Sequence, residues 1–452
     1  MLLVSALTIN SLQPTRAQES TSSLNQLWQL VEANYPGLSA QQASIEASQL
    51  QAQAVRSNAL PQAKLQLQNS YGTHERSNGA FFPQPGLFNV NSPAGTVGSS
   101  TSASSFGSAT LEYEVFSFGR QQAENSAAGF LTSRKQADKV AYALKLKREL
   151  SNRYIQYLYT ESKLQWVAKN ATRLHDIQRI AAGLSRAGLK PAADSLLAYS
   201  SYIQALAEKD NWTGNKGISL ARLQELHGQE DYAVDATASK FNKPALRLNP
   251  QADQPNLHPF LEVLAKESAY HKGLAAAQTK AALPSLKVLA GYAFRGSGIA
   301  PTGHVSGDWS AGFSNSSNNL LLGLGLTWNL TGMHTSKLKG NAWLKQAEQA
   351  QQQQAESQLY IQAGLKALDS KLSEQLKQLN KTEQSVSYTQ DAYQMYMARY
   401  KSGLITMTEL LQIRMLLEQA ENNHIEALNS YWLQLAEEAM LRNDFQFLFN
   451  NL

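Results

Sequence analysis

The chain has 452 residues, of which 43% are apolar, 17% are charged and none is cysteine. The lack of cysteine excludes a disulfide framework, a thiolate-held zinc or iron–sulfur site and a thiol nucleophile, and no acylated cysteine anchor is expected. The net charge of +5 comes from 40 basic and 35 acidic residues scattered along the sequence, which is no footprint for a nucleic-acid partner. No apolar run approaches the ~18 residues of a spanning helix, so an inner-membrane helical transporter is excluded.

Leu2 to Ile9 form a short apolar run, and Thr15-Arg16-Ala17 places small residues two apart. That pattern predicts an export signal over residues 1–17, although no basic residue precedes the run. An exported chain without cysteine suits a bacterial envelope, where folding need not wait for oxidation.

The same plan then occurs twice. Tyr35-Pro36, Leu60-Pro61, Lys64 and Tyr71 return at one constant offset as His258-Pro259, Leu283-Pro284, Lys287 and Phe294. Arg186-Ala187-Gly188-Leu189 returns at a slightly smaller offset as Lys401-Ser402-Gly403-Leu404. The reading is a first structural repeat over 18–228, a linker over 229–257 with Pro244, Pro250 and Pro255, a second repeat over 258–445, and a tail over 446–452.

Each repeat opens with a helix rich in alanine and glutamine, about 22–59 and 259–283, which a proline then ends. A period-two segment follows. Ala63, Leu65, Leu67, Asn69 and Tyr71 alternate with Lys64, Gln66, Gln68 and Ser70, and later Leu286, Val288, Ala290, Tyr292 and Phe294 alternate with Ser285, Lys287, Leu289, Gly291 and Ala293. Loops rich in glycine, serine and asparagine come next, 72–105 and 295–319. Alternation then resumes through Leu111, Tyr113 and Val115, and through Leu322, Leu324, Leu326 and Trp328. These are two β-hairpins, 63–118 and 285–330. Strands of roughly ten residues with one apolar face suit a membrane barrel and a half-buried soluble sandwich equally well. Proline-free helical stretches follow, about 121–185 and 335–402, each with a shorter helix behind it, 191–227 and 407–443. Some 65 residues at ~1.5 Å each make a helix of about 100 Å, which needs partners along its length, as in a coiled coil. Four strands are too few to close a barrel, since bacterial antiparallel barrels start at about eight. A membrane reading therefore requires further copies of the chain, because open edges in lipid leave backbone groups unsatisfied.

Taken together, the doubled helix–Leu-Pro–strand openings, Tyr113-Glu114-Val115-Phe116-Ser117-Phe118-Gly119-Arg120, and Arg399-Tyr400-Lys401-Ser402-Gly403-Leu404-Ile405-Thr406-Met407-Thr408-Glu409-Leu410-Leu411 resemble the TolC-like outer membrane efflux protein family over about residues 22–445. The resemblance implies an α+β membrane protein whose homotrimer closes a twelve-stranded β-barrel above a tunnel of long antiparallel helices. It implies a passive duct, with no cofactor and no catalysis, that meets a periplasmic adaptor and an inner-membrane transporter and carries small toxic compounds outward. A protein-secretion duct of the same fold is the alternative within the family, and a non-conducting coiled-coil scaffold the alternative outside it. The family places the turns at Gly188 and Gly403 at the periplasmic tip, where an adaptor binds. Glu409 matches the first acid of a ring at the constriction, whereas the second acid's position is Gln412 here. Asp194 matches an acid that pairs with an arginine, but the arginine's position is Ile405, so closure is expected to rest on apolar contacts such as Ile405 and Met407. Leu322, Leu324, Leu326 and Trp328 would face lipid.

Other chemistry has little support. The eight histidines are scattered from His74 to His424 and none forms a metal-binding pair. Gly323 and Gly325 lack the third glycine and the βαβ frame of a dinucleotide loop. The tail Phe445-Gln446-Phe447-Leu448-Phe449 alternates like a strand without an evident role.

Overall fold

The computed structural model describes residues 23–74, 100–228, 238–243, 257–300, 302 and 304–452. The signal segment, most of the linker with its three prolines, and much of the first hairpin's loop lie outside them. The elements are α1 (Leu24–Asn34), α2 (Pro36–Ser57), β1 (Gln62–His74), β2 (Ser100–Phe116), α3 (Arg120–Arg186), α4 (Ala192–His227), α5 (Ala238–Asn242), α6 (Pro259–Lys280), β3 (Ser285–Ser297), a short 3-10 helix (Trp309–Phe313), β4 (Ser317–Thr327), α7 (Gly332–Lys401), α8 (Met407–Arg442) and α9 (Gln446–Asn451). The order helix–hairpin–long helix–helix thus appears twice. Two compact units result, one from the described parts of Met1–Gln42, Asp138–Glu262 and Glu356–Leu452, the other from those of Ala43–Ala137 and Val263–Ala355.

Among the described residues the second unit holds a single antiparallel sheet in the order β1-β2-β3-β4. Its register puts Leu65, Ala109, Tyr292 and Leu320 in one cross-strand row, with Leu111, Ala290 and Leu322 in another. One face is therefore mostly apolar, interrupted by Asn69, Ser105 and Asn318, and its leucines are bare: Leu320 is 83% exposed and Leu322 77%. The opposite face carries Gln66, Thr110, Glu112, Lys287 and Thr327, with Glu112 and Lys287 ion-paired. A bulge between Glu114 and Phe116 ends the β2–β3 ladder, and Arg120 grips both oxygens of Glu114 at 2.8 and 2.7 Å as α3 begins. Helix packing in this unit is close. A Cβ on Gly273 of α6 would stand 3.0 Å from the Ala127 backbone of α3, and buried alanines (Ala123, Ala127, Ala275, Ala347) fill the seams.

The first unit is helical with two cores. The larger gathers Leu24, Trp28, Leu158, Leu223, Phe241, Leu428 and Trp432, and the Trp432 indole donates to the Phe241 carbonyl at 3.0 Å. The smaller gathers Ile177, Ala198, Tyr400, Ile405, Met407 and Leu417. Between α3 and α8 lies a buried ionic cluster in which Arg173 Nη1 reaches Glu421 Oε2 at 2.7 Å and Lys169 reaches Glu421 Oε1 at 3.2 Å. Burial would raise the Glu421 pKa, but the Arg173 and Lys169 cations hold it below the ordinary glutamate value. Nearby, the buried Lys163 ammonium reaches Glu426 at 2.7 Å and lies over the Tyr159, Trp166 and Trp212 rings.

Three elements differ from the sequence reading. The single helix over 22–59 is broken, because Pro36 forces Tyr35 into extended backbone at φ −69°, ψ 119°. The serine- and asparagine-rich stretches read as loop are strand from Ser100 and from Ser317, since a neighbouring strand satisfies their backbone whatever the side chain. The phenylalanine-rich tail is helix α9, not an alternating strand, and it drives Phe445, Leu448 and Leu452 into the larger core.

Replacing Glu421 by alanine leaves the Arg173 guanidinium, 9% exposed, without its carboxylate, and should cost about 3–5 kcal/mol. Lys345→Ala, at a side chain 81% exposed and paired with Glu348, should leave the stability close to unchanged, because solvent screens such a pair. Thermal unfolding followed by circular dichroism separates the two.

Candidate functional site

Two helical turns repeat the same geometry. After α3, Gly188 takes φ +72°, with the Leu189 amide bonding Leu184 O at 2.9 Å and the Gly188 amide bonding Ser185 O at 3.0 Å. After α7, Gly403 takes φ +77°, with the Leu404 amide on Arg399 O and the Gly403 amide on Tyr400 O, both at 3.0 Å. These are Schellman closures, in which the left-handed residue must lack a Cβ to avoid strain. Space does not require glycine, since a Cβ at either position would meet nothing within 4 Å.

The next helices start differently. Thr406 caps α8 and makes a capping box with Glu409: Glu409 N donates to Thr406 Oγ1 at 3.2 Å, and Glu409 Oε2 accepts from Thr406 N at 2.7 Å and from its hydroxyl at 2.8 Å. Those donors, first the backbone amide and then the hydroxyl, lower the Glu409 pKa, with Arg399 and Lys190 adding to the effect. A lowered carboxylate stabilises the fold above its unfolded pKa and loses that contribution as pH falls through the folded value, so the cap holds at neutral pH. At the start of α4, Pro191 offers no side-chain cap, and Asp194 sits in the first turn.

The two turns are also tied together. The Lys190 ammonium donates to Ile405 O at 2.9 Å and Gly403 O at 3.5 Å, and lies 5.5 Å from the Tyr400 ring centroid. The buried Tyr400 hydroxyl donates to Asp194 Oδ2 at 3.4 Å, and burial followed by the Asp194 charge pushes the phenol pKa up to about 12. A lysine among the last carbonyls of a helix also meets the negative end of its dipole. Neither Lys190 nor Tyr400 stands out as a site residue in the sequence, because a side-chain-to-carbonyl bond between distant turns leaves no local pattern.

Of the residues singled out from the sequence, Glu409 and Gln412 are exposed one turn apart on α8, and Asp194 is half-buried. Ile405 and Met407 are 7% and 2% exposed, inside the chain's own smaller core. Gly188 and Gly403 lie bare at the turns. In the other unit, Leu322, Leu324 and Leu326 share the apolar face of β4, and the Trp328 indole just beyond it donates to Ala282 O at 3.1 Å. Among the described residues, no group of histidines and acids could hold a metal.

Very long paired helices carrying one amphipathic four-stranded sheet, with the whole plan doubled, define a subunit of an outer-membrane channel. The model of the outer membrane efflux protein family matches residues 27–229 and 258–439, one match for each half of the doubled plan, and the chain belongs to that family. Its place is the outer membrane, with an extension into the periplasm. Among solved structures, the CmeC outer membrane channel of Campylobacter jejuni is similar at 14% identity and a TM-score of 0.73, covering 98% of this chain and 94% of that one. The outer membrane protein VceC of Vibrio cholerae is similar at 15% identity and 0.69, covering 93% and 96%. The open state of the MtrE outer membrane channel of Neisseria gonorrhoeae is similar at 16% and 0.62, covering 93% and 89%. At these identities the likeness is one of fold. No curated protein matches the sequence.

Lys190→Met keeps the side chain's length and removes its donors. Amide hydrogen exchange at Leu404 to Thr406 should then speed up, while amides of α8 around Trp432 stay as protected as before; equal protection at the turn in both proteins would deny the lysine any tethering role.

Proposed function

We propose that the protein is a passive trimeric duct, the outer-membrane component of a tripartite efflux system that receives small toxic compounds from an inner-membrane transporter through a periplasmic adaptor. The sheet carries this reading. Among the described residues β1 and β4 each pair on one side only, and the sheet presents a mostly apolar face and a polar one. In lipid, open edges leave backbone donors and acceptors unsatisfied, at several kcal/mol each. Three copies of a four-stranded sheet make a closed twelve-stranded barrel, with Leu322, Leu324, Leu326 and Trp328 toward lipid and Glu112, Lys287 and Thr327 toward the water-filled interior. The two repeats, 18–228 and 258–445 joined through 229–257, then each supply one β-hairpin to the wall and one pair of long helices to the tunnel.

At the tip, Glu409 and Gln412 face the axis of the constriction, while Ile405 and Met407 hold the turn from within the protomer. Asp194 acts through Tyr400, and Lys190 spans the gap that the missing arginine leaves. The exposed turns at Gly188 and Gly403 are the adaptor's contact points. Energy comes from the transporter, so the duct performs no chemical step.

Detergent-extracted protein should have the native mass of a trimer and conduct ions in a planar bilayer. A monomer that stays soluble without detergent would remove the duct. In the same recordings Glu409→Lys should lower the preference for cations, since a ring of acids selects for them; unchanged selectivity would take Glu409 off the axis.

Leu324→Lys puts a charge on the apolar face at mid-strand and should cost about 2–4 kcal/mol, enough to prevent assembly. Thr327→Lys, on the polar face, should assemble normally. Identical behaviour of the two in a heat-stability assay on gels would overturn the assignment of faces.

A further inference from the structure

The connection between β3 and β4 does not stand away from the sheet. It folds back across the apolar face and lies over β2 as far as β1. Gly298 N donates to Ala103 O at 2.9 Å, Ser297 N to Ser314 O at 2.8 Å, and the Tyr71 hydroxyl to Gly307 O at 3.0 Å. Beneath it the sheet has only small residues, Ala103 and Ser105, and both are buried. The fit leaves no room for a side chain. A Cβ on Gly296 would lie 2.4 Å from Gly312 O, and one on Gly312 would lie 2.9 Å from the Ala103 Cβ. Contacts that close to backbone cannot be relieved by a rotamer change, so these glycines are selected by distance.

The strap turns two aromatic side chains outward. Trp309 and Phe313 are 58% and 59% exposed, and the Trp309 ring stands 6.5 Å from that of Tyr71. Their height follows from the register. Ten residues of β3 separate Leu286, which pairs with Leu326, from Gly296, which Gly312 covers. Ten steps of ~3.3 Å make about 33 Å along that strand, or about 25 Å in height at a tilt of ~40°. An apolar band is ~25 Å tall with aromatic girdles at both margins. Trp328 marks the margin near the helices, and the strap reaches the other. At that far margin the apolar face of the strands offers Ala103, Ser105 and Gly296 beside the aromatic Tyr71 and Phe294.

We infer that this connection is a fixed external strap whose Trp309 and Phe313 seat in the headgroup boundary of the outer leaflet, adding from a loop to the girdle that Tyr71 and Phe294 begin on the strands. The inference rests on the sheet spanning the outer membrane. Its partner is a lipid surface, continuous with the apolar face, and the strap sets the height at which the barrel rides.

The chain has no cysteine, so one introduced thiol carries a nitroxide label uniquely. The full chain bearing Trp309→Cys, and separately Phe313→Cys, is reconstituted in phosphatidylethanolamine–phosphatidylglycerol vesicles, and collision with oxygen is compared with collision with a water-soluble nickel chelate. Leu404→Cys gives the aqueous value and Leu322→Cys the lipid value. The labels at 309 and 313 should show an oxygen-to-nickel ratio several-fold above that at 404 and below that at 322. A ratio equal to that at 404 overturns the proposal by placing the strap in water. Exclusion of both reagents overturns it by showing that protein, a second copy or another segment of this chain, covers the strap. A water-like ratio at 322 sinks the membrane-sheet reading itself, a failure distinct from a water-like ratio at 309 alone. Adding Gly312→Val to the Trp309→Cys protein should shift its ratio to the aqueous value, and no shift would mean that close approach does not hold the strap.

Discussion

The constraint on which the molecule depends is the pair of unmatched strand edges at β1 and β4. A four-stranded sheet with a bare leucine face is stable neither in water, where the leucines are exposed, nor in lipid, where the edges are. On the proposed reading, closure with further copies pairs the edges and lipid covers the leucines, and much else about the chain suits that arrangement. On the polar face Gly325 makes room for Leu289, and Glu112 and Lys287 neutralise one another across the β2–β3 seam. That seam joins the two repeats, so the pair also ties the duplicated halves into one wall.

The helices answer a different problem. Helices as long as α3 and α7 need burial along their whole length, and the chain uses two grammars for it. In the unit that carries the sheet, alanine and glycine bring backbones close. In the other, large apolar cores are joined by ion pairs, the buried Arg173–Glu421 and the buried Lys163 with the half-exposed Glu426. Buried pairs add little net stability, but they penalise any sliding of one helix along another, because a shift of one turn leaves a charge unmatched. The apolar clusters alone would tolerate such slippage more readily.

Much of this is legible in the sequence because it rests on period and punctuation. The doubling, the strand alternation, the closing glycines at 188 and 403 and the proline-free helices all leave local marks. Features that depend on distant partners leave none. Pro36 is visible, yet its break is easily lost within a helix of otherwise strong formers. The strands from Ser100 and from Ser317 look like loops because neighbouring strands, not their own composition, make them strands. The tail alternates like a strand and becomes a helix because its phenylalanines and leucines have a core to enter. At the tip, Glu409 is legible as a cap through the Thr-x-x-Glu spacing, whereas the Lys190 bridge and the Tyr400–Asp194 bond join opposite ends of the sequence. Ile405 and Met407 read as apolar residues of a turn, and only packing shows that they point into the protomer's own core.

The larger helical core has a further consequence, for the order in which the molecule is made. It draws Leu24 from the beginning, Leu158 and Leu223 from the first repeat, Leu428 from the second and Leu448 from the tail into one cluster, and the Tyr154 hydroxyl donates to Leu452 O at 3.3 Å. Contacts of such long sequence separation form slowly, because the loop entropy must be met before any of them gives a return. The hairpins and the tight helical turns are local and can form as soon as their residues are free. The chain therefore passes through a period in which its sticky strands are ready and its anchoring core is not, and keeping copies apart during that interval is a task for the cell rather than for the fold.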